Sequence, residues 1–281
     1  MNKLTMAKRV AVVAALVEGN SVRSTARMTD VSKPTILKLL AELGAECAAF
    51  HNECVRNIRA QRIQCDEIWQ FVGAKQKNAT PEQRAQGWGD TWTWVGIDAD
   101  TKLIVSWFIG QRDPISAWWF MRDLCSRLVT RVQLTTDGLH AYLTAVDEAF
   151  ESEIDYAQLV KIYGGQSREA AARYSPARFL SAQREVITGS PDPRYISTSY
   201  VERSNLTMRM SMRRFTRLTN AFSKKAENHA HAQALYFLHY NFARVHGTLR
   251  VTPAMAAGIA DHVWSLEEIV GLLDSRSAVA A

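Results

Sequence analysis

The stretch Arg62-Ile-Gln-Cys-Asp-Glu-Ile-Trp-Gln-Phe-Val-Gly73 constrains this chain more than any other. It alternates as a strand does, with Ile63, Cys65, Glu67, Trp69 and Phe71 on one face and Gln64, Asp66, Ile68, Gln70 and Val72 on the other. An acidic pair inside such a strand must be solvated, paired or bound to a metal, because a bare buried carboxylate is costly. Neighbouring strand residues face opposite sides, so Asp66 and Glu67 are not expected to serve one site equally. Two later acids point to Asp66 as the functional member. Asp137 closes a short strand pattern over Arg131–Gly138, and Glu202 lies near the start of a basic helical pattern that opens at Ser199.

At 281 residues the chain is long enough for one large domain and a small one. Lys+Arg 34 against Asp+Glu 28 leaves a modest basic excess of +6, which suits a nucleic-acid partner without establishing one. The four cysteines Cys47, Cys54, Cys65 and Cys125 show no paired C-x-x-C spacing, and they read as free thiols of a reducing compartment. The N-terminal apolar run is too short and too patterned for a signal peptide. No stretch approaches the ~20 apolar residues that span a bilayer, so a cytoplasmic location without membrane contact is expected.

Residues 5 to 43 divide into three short helical patterns. Ser21 and Ser32 are placed to cap the second and third, and Ile36, Leu39, Leu40 and Leu43 form the apolar stripe of the third. Lys33, Thr35 and Lys38 point away from that stripe. This pattern fits a helix-turn-helix whose last helix enters a major groove, and it also fits a three-helix bundle with a solvated face. The basic outward positions favour DNA.

Residues 44 to 61 read as a helical or irregular linker and 74 to 90 as an exposed loop. Two strand patterns, Thr91 to Ile97 and Leu103 to Ile109, then form a hairpin. Asp98 and Asp100 between them read as turn-forming acids. Ser116 to Leu128 is helical, with Trp119, Phe120, Leu124 and Leu128 available to the core. The Asp137 strand, a helix over about 139 to 150 and a strand over Tyr156 to Tyr163 complete an alternation that implies a mixed sheet covered by helices. Residues 164 to 199, with five scattered arginines (Arg168, Arg173, Arg178, Arg184 and Arg194), read as a partly irregular basic connection. Beyond it Glu202, Asn205, Arg209 and Arg213 recur at helical spacing, and Arg203, Arg214 and Arg217 widen the charge. Glu202 on such a helix fits either a ligand beside a phosphate backbone or an ion pair with a neighbouring arginine. A second helix over Glu227 to Val245 carries His229, His231 and His239, which read as aromatic packing in the absence of a companion carboxylate.

Asp66, Asp137 and Glu202 make an oxygen-only set suited to Mg²⁺ or Mn²⁺ and unsuited to zinc. Two such ions about 4 Å apart support in-line phosphoryl transfer. The acids are 71 and 65 residues apart (137 − 66 and 202 − 137), so only the fold can bring them together.

Cys65-Asp-Glu-Ile-Trp-Gln-Phe-Val-Gly73, Thr135-Thr-Asp-Gly138 and Val201-Glu-Arg-Ser-Asn205, in that order, resemble the catalytic segments of DDE transposases of bacterial insertion sequences, those of insertion-sequence-one type above all. Tyr240-Asn-Phe-Ala-Arg-Val-His246 followed by Thr252-Pro253 is similar to their C-terminal segment. The resemblance spans about residues 20 to 255. It implies an α/β fold of ribonuclease H-like type, a mixed sheet with flanking helices, preceded by an all-α helix-turn-helix domain. On this reading residues 1–46 bind DNA, 47–61 link, 62–250 form the catalytic domain with the basic insertion, and 251–281 form a helical tail. Asp66, Asp137 and Glu202 are then catalytic metal ligands for two Mg²⁺ or Mn²⁺ ions, with Asn205 in support. Lys33, Thr35, Lys38, Arg203, Arg209, Arg213 and Arg217 are the expected DNA contacts.

The implied activity is cleavage at terminal inverted repeats followed by strand transfer to target DNA, by a homo-oligomer of at least two protomers on DNA. A metal-dependent nuclease without strand transfer, a non-catalytic helix-turn-helix regulator, and a structural or interaction protein that retains the fold without binding metal are the alternatives. The insertion-sequence-one type often opens on a Cys-rich zinc finger, and this chain shows no such pattern.

Overall fold

Hydroxyl caps start each of the first three helices. Thr5 accepts from Lys8 N ahead of α1 (Met6–Val17), Ser21 from Ser24 N ahead of α2 (Val22–Thr29), and Ser32 from Thr35 N ahead of α3 (Lys33–Cys54). The computed structural model describes residues 4–164, 179–216 and 219–279, with side chains described as far as Asp274. Val12, Val31, Ile36 and Leu39 form a small core among the three helices. The third helix continues without a break to Cys54, through residues the sequence pattern leaves open between helix and irregular linker.

The strand around Asp66 is β1 (Arg62–Val72). A short capped helix, α4 (Pro81–Ala85), lies within the polar loop that follows. Then come β2 (Gly89–Asp98), β3 (Ile104–Gly110), α5 (Pro114–Arg127), β4 (Gln133–Asp137), α6 (Ala141–Phe150), β5 (Asp155–Tyr163) and β6 (Phe179–Thr188). The sheet order is β3-β2-β1-β4-β5-β6. Strands β1, β4 and β5 pair in parallel, and the other pairings are antiparallel. This mixed six-stranded sheet with flanking helices is compatible with the ribonuclease H-like fold expected.

The alternation read in β1 assigns its two faces to two cores. Ile63 and Cys65 join Phe120, Leu124 and Tyr142 from α5 and α6. Trp94 is fully buried there, its ring 6.0 Å from Phe120 and 5.4 Å from Tyr142. On the other face Ile68, Val95 and Ile97 pack with Val201 and Met208 of α7 (Ser199–Ser211) and Tyr236 and Phe237 of α8 (Ala226–Leu238).

At the start of the outer edge of β3, side chains satisfy the backbone of Ile104. Asn241, in a π-helical turn over His239–Ala243, accepts from Ile104 N and donates to Ile104 O, both at 3.0 Å. His51 Nε2 reaches the same carbonyl at 3.2 Å. An amide thus satisfies both backbone groups that a further strand would otherwise claim. Helix α9 (Pro253–Ala256) leads to α10 (Leu266–Val279), which returns to the N-terminal helices, where Arg9 pairs with Asp274 at 3.3 Å.

Two expectations are corrected. Residues 179–188 of the connection read as partly irregular form β6, paired along the length of β5. Nearly every residue of β6 is solvent-exposed, so pairing defines it and no apolar period marks it. Trp119, expected in the core, is 54% exposed, while Phe120 and Leu124 on the same helix are buried.

Candidate metal centre

Strand β1 runs beside β4 with Gln64 opposite Thr135, and two residues further on each strand stand Asp66 and Asp137. Asp137 is the last residue of β4. At that end its carboxylate is reached from both faces of β1: carboxylate oxygens of Asp66, Glu67 and Asp137 all lie within 4.8 Å of one another. Alternation along β1 predicts that Glu67 does not serve the site of Asp66 equally, yet its carboxylate stands within the same cluster. Glu67 is the acid that sequence reasoning set aside, and its direct adjacency to Asp66 was the available signal. Among the described residues no other group of three His, Cys, Asp or Glu side chains converges in this way.

Burial, then the charge of Asp137, push the Asp66 carboxyl up to about 6, and the same two causes in the same order push Glu67 up to about 7. Partial neutralisation comes from Arg112, in the turn after β3, which donates to Glu67 Oε2 at 3.2 Å and to Asp137 Oδ2 at 3.5 Å. Asp137 Oδ1 accepts from Leu139 N at 2.9 Å, which fixes the carboxylate at the strand end. Glu67 also faces the buried Tyr142 hydroxyl, whose hydrogen bonding lowers its pKa against the larger effect of burial.

The helix α7 crosses this end of the sheet because Gln64 Oε1 accepts from Tyr200 N at 2.8 Å and from Val201 N at 3.2 Å. Two of the otherwise orphaned amides of a helix N-terminus are thereby satisfied from β1. That anchor sets Asn205, whose Nδ2 donates to Asp66 Oδ2 at 2.9 Å, while its buried Oδ1 has no partner. Glu202 is close enough for its charge to raise Asp66 further. Its carboxylate, however, accepts from Lys161 Nζ on β5 and from the Thr198 hydroxyl. Thus Asp66 and Asp137 stand together with Asn205 on one of them, whereas Glu202 lies beside the cluster in an ion pair. Lys161 and Arg112, the two cations that meet the acids, carried no sequence signal, since each is one basic residue among 34.

The donor set fits a hard divalent cation. It is all oxygen, its members repel one another, and a buried acceptor oxygen beside it, Asn205 Oδ1, is unsatisfied. The cysteines do not join it: the converging group holds none, and Cys65, on the Glu67 face of β1, packs into the core with Phe120 and Tyr142.

The residues expected on DNA are spread over two regions. Lys33 and Lys38 are exposed on α3, with Lys38 3.7 Å from Glu42, and the Thr35 hydroxyl lies 2.8 Å from Ser32 Oγ within the cap. Arg203 is exposed on α7, Arg209 is half-buried near the end of the same helix, and Arg213 is exposed in the 3₁₀ turn that follows. Arg217, like Arg168, Arg173 and Arg178, lies outside the described residues.

No family model and no curated protein matches this sequence. Among solved structures the chain is similar to a piggyBac transposase in a cryo-EM synaptic complex with hairpin DNA. The TM-score is 0.41 and the identity 12%, over 98% of this chain and 72% of the other. The likeness is distant, and the residues of the site carry the functional reading.

Proposed function

We propose that this chain is a DNA transposase of DDE type that binds element ends and catalyses DNA cleavage and strand transfer. The observation that carries the reading is the convergence of Asp66, Glu67 and Asp137, with Asn205 holding Asp66 and Glu202 alongside. In this account Asp66, Asp137 and Glu202 hold two Mg²⁺ or Mn²⁺ ions, and Glu67 is a further candidate ligand. When bound, such ions supply Lewis acidity to the attacking water or sugar hydroxyl and to the leaving oxygen.

The chain's own side chains prepare that chemistry. Asn205 orients the Asp66 carboxylate, and Arg112 and Lys161 offset acid–acid repulsion at neutral pH. Helices α1 to α3 act as the helix-turn-helix, presenting Lys33, Thr35 and Lys38 to the terminal inverted repeats. Arg203, Arg209, Arg213 and Arg217 contact phosphates, which makes binding salt-dependent. Joining two ends to target DNA requires at least two protomers on DNA. No helix among the described residues is long and apolar enough to cross a membrane, and a nucleoid-associated cytoplasmic location belongs to the same reading.

A second reading, a non-catalytic DNA-binding regulator, draws on the ion pair between Lys161 and Glu202, in which the glutamate already has a partner. Cleavage and joining of candidate element ends in Mg²⁺ or Mn²⁺, wild type against Asp137→Asn, separates the readings. Loss of both products in a variant that still binds DNA supports the transposase. Wild-type cleavage without joining supports the nuclease, and equal activity in the variant removes Asp137 from the chemistry.

A further inference from the structure

A cleft of about 820 Å³ lies between the N-terminal helices and the region of α7 and α8. Its floor is apolar, built from Leu16, Val17 and Leu40 on one side and Met212 and Leu235 on the other. Among the described residues it is lined by five cations, Arg23, Lys33, Arg213, Arg214 and Lys224, and by no Asp or Glu. Among the described residues none of the five has a carboxylate partner within ion-pair distance. The Arg214 guanidinium donates only to the Ser223 hydroxyl, at 2.8 Å, and burial without a counter-charge pushes its pKa down to about 10, still cationic at neutral pH. A second, independent observation lies deeper. Tyr236 lines the cleft, is 3% exposed, and its hydroxyl has no hydrogen-bond partner. A buried tyrosine hydroxyl without a partner is uncommon, because the group ordinarily costs free energy when left unsatisfied.

An apolar lining with a buried, unpartnered tyrosine hydroxyl beside it and cations that have no carboxylate partner matches a ligand with an aromatic, hydrogen-bonding body and an anionic end. A simple anion would leave the floor unused, and a neutral apolar ligand would leave the cations unused. The volume lies within the ordinary range of small-ligand sites. We propose that this cleft binds a nucleoside phosphate unit, with the base on the apolar floor near Tyr236 and the phosphate among Arg213, Arg214 and Lys224. The unit belongs to a DNA strand or to a free nucleotide. The proposal rests on the reading of this chain as a DNA-handling protein, and it assigns Arg23, Arg214, Lys224 and Tyr236 a role outside the acid cluster. Because one wall is α1–α3 and the other α7–α8, an occupant would tie the N-terminal helices to the helix that carries Glu202.

The test is anisotropy of a labelled short oligodeoxythymidylate in chelator, so that cleavage plays no part, over about 50 to 200 mM salt. The double variant Arg213→Ala/Lys224→Ala, both exposed and outside the core, is expected to bind about tenfold more weakly. Its salt slope should fall by about 1.4, the share of two phosphate contacts on a single strand. Tyr236→Phe, which keeps the ring, is expected to weaken binding about threefold with an unchanged slope and a melting temperature no lower than that of wild type. Arg122→Ala, on α5 across the sheet, should bind as wild type does.

Thymidine monophosphate that competes, and loses potency in the same variants, assigns the site to free nucleotides, whereas its failure to compete assigns the site to a strand. Either outcome supports the shared chemistry. Unchanged affinity and slope in the double variant overturn the proposal, as does inorganic phosphate competing as well as thymidine monophosphate. A wild type that binds through the cleft but never cleaves DNA overturns the transposase reading alone. Cleavage that persists while the cleft variants bind normally overturns this inference alone.

Discussion

Asn205 Nδ2 donates to Asp66 Oδ2 at 2.9 Å, across 139 residues of chain. The bond links the helix of Glu202 to the strand of Asp66 and sets the orientation of one carboxylate in the cluster. Removing a partner that orients a metal ligand typically costs 10- to 100-fold in metal affinity or activity. Asn205→Ala is therefore expected to lower the metal-dependent cleavage rate by about that factor. Rates near wild type, measured at saturating DNA, would show that Asn205 is only a packing residue.

The three clustered acids repel one another in the metal-free protein, and Arg112 compensates only part of that charge. Replacing one acid by its amide removes repulsion while keeping shape. Asp137→Asn is expected to melt a few degrees higher than wild type in chelator at neutral pH, and calorimetry measures it directly. A lower melting temperature would mean that the Asp137–Arg112 contact outweighs the repulsion.

Two buried histidines, His51 and His229, and the half-buried His239 make the protein sensitive to acid. Burial pushes His51 down to about 4, His229 to about 3 and His239 to about 4. Each folded pKa lies below the unfolded value of about 6.5, so the unfolded chain binds protons first as the pH falls. Their contribution to stability is full above about 6.5 and is lost as the pH falls toward 4. Asp66 and Glu67, with raised values, act in the opposite direction over part of that window. The expected net outcome is a lower melting temperature at pH 5 than at pH 7, with a smaller difference in His229→Phe. An identical pH dependence in that variant would remove His229 from the account.

Gly44 lets α3 touch α8. A Cβ there would lie 2.5 Å from the Cβ of His231 and 2.6 Å from its backbone oxygen, and neither helix can yield locally. Gly44→Ala is expected to destabilise the protein by about 1 to 3 kcal/mol despite the better helix propensity of alanine. Denaturant titration checks the sign, and a stabilised variant would contradict the close approach.

Several features were legible because local periodicity and burial coincide. Strand β1, the hydroxyl caps at Ser21 and Ser32 and the hairpin of β2 and β3 each carry their own pattern in the residues. Strand β6 did not, because it is exposed and defined by its pairing with β5. The site was legible to the extent that each acid sits in a recognisable segment: Asp66 and Asp137 meet as the parallel pairing of β1 and β4 requires. Glu67 was missed because strand alternation describes where a Cβ points, not how far a glutamate reaches past the end of a neighbouring strand. The pairing of Glu202 with Lys161 depends on where β5 lies against α7, which no local pattern encodes.

Calorimetric titration of Mn²⁺ reads whether these carboxylates form a divalent-metal centre. Wild type, Asp66→Asn, Asp137→Asn, Glu67→Gln and Glu202→Gln would be compared in metal-free buffer near pH 7.5. The account predicts saturable binding by wild type, its loss in both aspartate variants, and a weakening in the glutamate variants that ranks Glu67 against Glu202. Equal Mn²⁺ binding by wild type and both aspartate variants would contradict it.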